Sequence, residues 1–134
     1  MNITVDHIAI ASQHPEKTKS FFNLLKLSTH AEEVPTQQVR TTFYHTSPSS
    51  CAIELLEPLS ENSPISKFLQ KHSGIHHLAL RVDRLSQLLT FLKQQGCRLI
   101  NEEPQVGSHN SKIAFVHPES TGGVLVEFVE RPSP

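Results

Sequence analysis

Apolar and polar positions along the chain fall into two repeating blocks. Residues 3–11 (ITVDHIAIA) predict a strand rich in β-branched residues, with Val5, His7 and Ala9 on one face and Ile8 and Ile10 on the other. Pro15 suits the first turn of a helix, which Phe21, Phe22, Leu24 and Leu25 give an apolar stripe. A short strand is predicted near 29–34, ended by Pro35, and two more at 38–45 and 51–57, with Ser47-Pro48-Ser49-Ser50 turning between them. Residues 58–73 read as an insert, in which Ser63-Pro64 starts a short helix with Ile65, Phe68 and Leu69 on its buried side. The first pattern then returns. A strand at 74–82 (GIHHLALRV) precedes a helix that Asp83 caps, Leu85, Leu88, Leu89 and Leu92 line, and Gly96 ends. Strands at 97–101, 111–117 and 123–129 follow, with Thr121-Gly122-Gly123 as the last turn.

The order strand, helix, three strands therefore occurs twice. Asp6-His7-Ile8-Ala9-Ile10 matches His76-His77-Leu78-Ala79-Leu80, and Ala52-Ile53-Glu54-Leu55-Leu56 matches Leu125-Val126-Glu127-Phe128-Val129. His7 and His77 stand 70 positions apart and Glu54 and Glu127 stand 73 apart, as a duplicated βαβββ module requires. The expectation is a single α+β domain over 1–134: module one at about 1–57, a helical insert at about 58–73, and module two at about 74–130. No Gly- or Ser-rich linker separates the halves.

Duplication gives the polar residues inside these strands a joint meaning. Glu54 and Glu127 each sit among apolar residues, where an unpaired carboxylate is costly to bury. A cationic partner such as Lys112 or Arg81 would satisfy one of them; a metal would satisfy both. If the halves are related by a pseudo-twofold axis, His7, Glu54, His77 and Glu127 face one cleft. Two imidazoles and two carboxylates suit a borderline-to-hard divalent ion and leave room for a bidentate substrate. His76 points to the opposite face in a structural or supporting role, and His117 lies at a strand end. His14, His30 and His72 fall in helix ends or loops, exposed to solvent.

Composition narrows the alternatives. In 134 residues the formal net charge is −1, which gives no electrostatic reason to expect nucleic acid or an acidic membrane as partner. No apolar run is long enough to span a bilayer, and residues 1–6 show no basic and apolar leader pattern. Cys51 and Cys97 form no spaced redox or metal motif. A reduced cytoplasmic protein is the expectation.

Over nearly its whole length the chain resembles the methylmalonyl-CoA epimerases, a family of the vicinal oxygen chelate (glyoxalase) superfamily. The resemblance is carried by Val5-Asp6-His7-Ile8-Ala9-Ile10-Ala11, Ile53-Glu54-Leu55-Leu56-Glu57-Pro58, Ser63-Pro64-Ile65 and Gly74-Ile75-His76-His77-Leu78-Ala79. It continues in Lys112-Ile113-Ala114-Phe115 and in the run from His117 to Glu127. It implies paired βαβββ modules forming a cupped mixed sheet, and a divalent ion (cobalt, zinc, manganese, nickel or magnesium) on His7, Glu54, His77 and Glu127. It implies an acyl-CoA substrate, a homodimer, and interconversion of (R)- and (S)-methylmalonyl-CoA through an enolate. Glu127 is the first choice as acid/base and Glu54 the second. A different glyoxalase-type lyase or isomerase, or a non-catalytic binder like the bleomycin-resistance proteins, is the competing expectation. The chain departs from the family at Thr41, where some relatives carry a glutamate. It departs again at Lys26, where relatives usually have glycine, and at Gly107-Ser108-His109-Asn110, a loop usually richer in glycine, where substrate contacts are expected.

Overall fold

The computed structural model describes residues 1–46 and 51–133, so the turn expected at Ser47-Pro48-Ser49-Ser50 lies outside the described residues. The elements are β1 (Thr4–Ala11), α1 (Pro15–Leu24), β2 (Ser28–Val34), β3 (Val39–His45), β4 (Ala52–Pro58), α2 (Pro64–Leu69), β5 (Gly74–Arg81), α3 (Leu85–Gln94), β6 (Gln105–Val106), β7 (Lys112–Val116) and β8 (Val126–Glu130). This is βαβββ twice, with α2 in the insert, and the fold class is α+β. The chain forms two compact units, residues 7–76 and residues 1–6 with 77 onward.

In the first unit the strands run β2-β3-β4-β1, with β4 parallel to β1 and antiparallel to β3. Alternation in β1 sends Ile8 and Ile10 to one face and His7, Ala9 and Ala11 to the other; both alanines are fully buried. Methyl side chains there keep the histidine-bearing face low. Its far end is closed by α2, whose Ile65, with Phe68 and Leu69, packs on Ala9, Ala11, Val34, Val39 and Leu56. Ser63 caps α2 by accepting from the Ile65 amide at 3.2 Å.

The second unit repeats the plan as β5-β8-β7-β6. Here α3 packs Leu85 and Leu89 on Val82, Ala114, Val116 and Phe128, while His77, Ala79, Ile113, Phe115, Glu127 and Val129 lie on the other face. That division follows from the period of two in each strand.

Several local expectations are corrected. The apolar stripe of α1 is mostly uncovered: Phe21, Leu24 and Leu25 are exposed, and Phe22 alone stacks on Tyr44, with ring centroids 5.0 Å apart. The N-cap of α3 is Arg84, not Asp83; the Leu85 amide donates instead to Glu130 Oε1 at 2.8 Å. Residues 97–101 make only an isolated bridge, Leu99 to Val116, because the Asn101 side chain takes the Phe115 amide at 2.9 Å in place of a strand ladder. The pairing appears later, at β6. The last strand begins at Val126, three residues after the expected 123, since Gly122 and Gly123 hold positive φ. His30 lies within β2, exposed as expected but in neither a loop nor a helix end.

Lys26 follows the C-cap of α1 with φ 55°, a left-handed conformation that costs a residue with a Cβ about 1–2 kcal/mol. Lys26→Gly is expected to raise the unfolding free energy by roughly 0.5–1 kcal/mol, the relieved strain less the entropy that glycine adds to the unfolded chain. Urea denaturation of the two proteins checks it.

Candidate metal centre

Each unit brings together one of the predicted His–Glu pairs. In the first, β1 and β4 run parallel with Ala9 opposite Glu54, which places the Glu54 side chain beside that of His7 on the face lined by alanines. His7 Nε2 lies 3.2 Å from Glu54 Oε1. In the second, Ala79 stands opposite Glu127 in the parallel pair β5–β8, and His77 Nε2 lies 3.1 Å from Glu127 Oε1. All four side chains are buried: His7 is 3% exposed, Glu54 5%, His77 5% and Glu127 6%. Burial of two carboxylates in a small domain is expensive without compensating charge, so these values make both pairs sites of stored polarity rather than surface decoration. The alternative cationic partners, Lys112 and Arg81, are exposed.

The correspondence extends to a third residue that the sequence pattern did not single out. Phe43 stands opposite Glu54 in the β3–β4 ladder, and Phe115 stands opposite Glu127 in the β7–β8 ladder. Each presents its ring edge-on to the imidazole of its own unit: His7 to Phe43 at 5.8 Å and 89°, His77 to Phe115 at 5.4 Å and 88°. An aromatic wall fixes the imidazole plane and lowers the local dielectric around the carboxylate. The available signal was the spacing: 43 and 115 differ by 72, between the offsets of the His and Glu pairs.

The remaining histidines separate by role. His76 is half-buried, its ring edge-on to Phe68 at 4.9 Å, in keeping with a structural part. His117 sits at the end of β7, where its Nδ1 accepts from the Glu119 amide at 3.0 Å. His30 stacks on Phe43 at 5.2 Å, and its Nδ1 lies 2.8 Å from His45 Nε2, so two imidazoles flank the aromatic wall of the first unit. Asp6, next to His7 but on the opposite face, forms a two-pronged pair with Arg131 at 3.1 and 2.6 Å. In the loop before β7, His109 and Asn110 both hold positive φ. A Cβ on Gly107 would come within 2.6 Å of the Ile113 side chain, so glycine is what lets that loop seat against β7.

Residues 6–115 match the Glyoxalase/Bleomycin resistance protein/Dioxygenase superfamily. The ethylmalonyl-CoA/methylmalonyl-CoA epimerase of Cereibacter sphaeroides is 35% identical over 127 residues, covering 92% of this chain and 94% of that protein. The crystal structure of methylmalonyl-CoA epimerase from Mycobacterium tuberculosis superposes with a TM-score of 0.88 at 36% identity, over 96% of this chain and 88% of the other. A structure of methylmalonyl-CoA epimerase in complex with methylmalonyl-CoA and NH4+ gives a TM-score of 0.88 at 31% identity, over 96% and 94% of the two chains. The duplicated module, the buried His–Glu pairs and these likenesses agree, and the chain belongs to the glyoxalase/bleomycin resistance protein/dioxygenase superfamily and, within it, to the methylmalonyl-CoA epimerase family.

Proposed function

We propose that this protein interconverts (R)- and (S)-methylmalonyl-CoA by 1,1-proton transfer, with a divalent ion held jointly by His7, Glu54, His77 and Glu127. The observation that carries the reading is the repetition of a buried His–Glu pair backed by an edge-on phenylalanine in both units. The donor chemistry fits: His7, His77 and Glu127 can each offer one ligand atom to an ion, and Glu54 is placed by its own unit as Glu127 is by the other. Neutral imidazoles and carboxylates, with no thiolate, favour a borderline or hard cation over a soft one.

The proton to be moved lies between a thioester carbonyl and a carboxylate and does not leave unaided at neutral pH. A divalent ion, when bound, supplies Lewis-acid stabilisation of the negative charge that develops on the substrate oxygens, worth several kcal/mol. The chain's own residues do the rest. Glu127 is assigned as the group that takes or returns the α-proton, which contributes on the order of 10²–10⁴-fold. Glu54 is the alternative carboxylate for that role. Phe43 and Phe115 hold the planes of the two imidazoles.

A homodimer is part of this reading, supported by the exposed Phe21, Leu24 and Leu25 along α1, an apolar face that a second copy would cover. Among the described residues no helix is long and apolar enough to cross a membrane. A cytoplasmic location belongs to the same proposal.

The test is an exchange experiment. Metal-loaded protein is incubated with (S)- or (R)-methylmalonyl-CoA in D₂O, and the α-proton is followed by NMR. Loss of the α-proton signal and appearance of the other epimer are expected. With metal confirmed bound, the absence of both would remove the epimerase reading.

A further inference from the structure

Inverting a carbon centre requires a proton to leave from one face and another to arrive at the opposite face. Glu54 and Glu127 occupy equivalent places beside their own histidines, so neither is set apart as the second group. The strand register singles out a third carboxylate.

In the first unit the ladders give two rows across the sheet, His30–Phe43–Glu54 and Glu32–Thr41–Leu56. Partners in an antiparallel ladder share a face, so Glu32 lies on the face that carries His7 and Glu54. Glu33 and Glu57 point to the opposite face, where Glu57 pairs with Lys19 at 2.9 Å; Glu16 belongs to α1, and Glu61 to the segment between β4 and α2. Among the strand carboxylates of residues 7–76, Glu32 and Glu54 are therefore the two on the ligand-bearing face.

The surroundings of Glu32 suit proton transfer. It is half-buried, and its carbonyl accepts from Thr41 Oγ1 at 3.3 Å, with Thr41 itself 2% exposed. Beyond Thr41 the face ends in the apolar floor made with α2. Glu32 and Glu54 sit two strands and two residues apart, a Cα separation of roughly 12 Å from ordinary sheet dimensions.

The second unit lacks this group. Thr41 precedes Phe43 by two residues as Ile113 precedes Phe115, and Ile113 pairs with Gln105. Gln105 is thus the counterpart of Glu32, an amide that cannot exchange a proton at neutral pH. The duplication is broken in charge at that position.

Resting on the epimerase reading, we propose that Glu32 is the second acid/base, the group that exchanges the proton Glu127 does not. In one direction the C–H bond breaks as its proton passes to the Glu127 carboxylate, and the electron pair enters the enolate. The Glu32 carboxylic acid then gives its proton to the other face: its O–H bond breaks, the new C–H bond forms, and the enolate electrons return to carbon. Exchange of both carboxyl groups with water restores the starting protonation.

The test compares wild-type protein with Glu32→Gln, both metal-loaded and full length, on each epimer in D₂O. Glu32→Gln is expected to slow inversion by about 100-fold or more. One epimer should still exchange its α-proton for deuterium with retention of configuration, because Glu127 remains. The other epimer should not exchange. Adding Thr41→Glu to Glu32→Gln returns a carboxylate to the same row one strand nearer Glu54, and is expected to restore inversion. Inversion at the wild-type rate in Glu32→Gln would overturn the assignment, and so would equal loss of exchange from both epimers. Failure of wild-type protein to exchange either epimer would instead mark the failure of the epimerase reading itself.

Discussion

Replacing His77 with alanine is expected to lower divalent-metal affinity by at least 10²-fold and to remove nearly all epimerisation. Loss of a group that merely supports a metal ligand costs on the order of 10–100-fold in affinity, so loss of a ligand should reach or exceed the upper end. The neighbouring imidazole does not replace it, because His76 is half-buried with its ring against Phe68. The fold should persist, since the core of the second unit is built on the other face, from Leu85, Leu89, Ala114, Val116 and Phe128. A cost of about 1–3 kcal/mol in unfolding free energy is expected, because the buried Glu127 carboxylate loses the imidazole 3.1 Å away. Titration calorimetry with zinc or cobalt, metal analysis after desalting and urea denaturation measure the three effects. His76→Ala is the internal control, because it removes the neighbouring imidazole and should leave metal content unchanged. Full occupancy in His77→Ala would refute the ligand assignment.

The duplication could be read from the chain because β1 and β5 each set a histidine two positions before an alanine, and β4 and β8 each set a glutamate between apolar neighbours. Those patterns are local and strong. The register between strands is not local. Phe43 and Phe115 look like ordinary strand residues until the ladder places each opposite a buried glutamate. Glu32 is harder still. It lies in Ser28–Val34, a mostly polar edge strand with no apolar alternation to reveal which of its two adjacent glutamates faces inward. The cap of α3 failed for a related reason: Glu130, 45 positions downstream of Leu85, takes the amide that a local reading gives to Asp83. The α1 stripe shows the limit of amphipathic patterns, which say that a face is apolar and not whether the same chain covers it.

The two carboxylates that the duplication makes alike are expected to differ sharply in reaction. Glu127→Gln keeps the shape of the side chain and an oxygen able to meet a cation, and removes the ability to take a proton. Its expected cost is on the order of 10²–10⁴-fold in the rate of inversion, the usual contribution of a positioned base. Glu54→Gln should cost less than about 10-fold, because an amide oxygen can still serve as a donor to a divalent ion. Metal content separates a lost ligand from a lost base: both variants should stay loaded at saturating zinc or cobalt. The isotope pattern adds a second axis. Glu127→Gln should retain deuterium exchange only in the epimer whose proton faces Glu32, the reverse of the pattern expected for Glu32→Gln. If Glu54→Gln instead shows the larger loss with its metal retained, the proton role belongs to Glu54 and Glu127 serves as a ligand alone. Measuring the three glutamine variants on both epimers thus assigns each carboxylate by its own signature, where geometry within each unit treats Glu54 and Glu127 as equals.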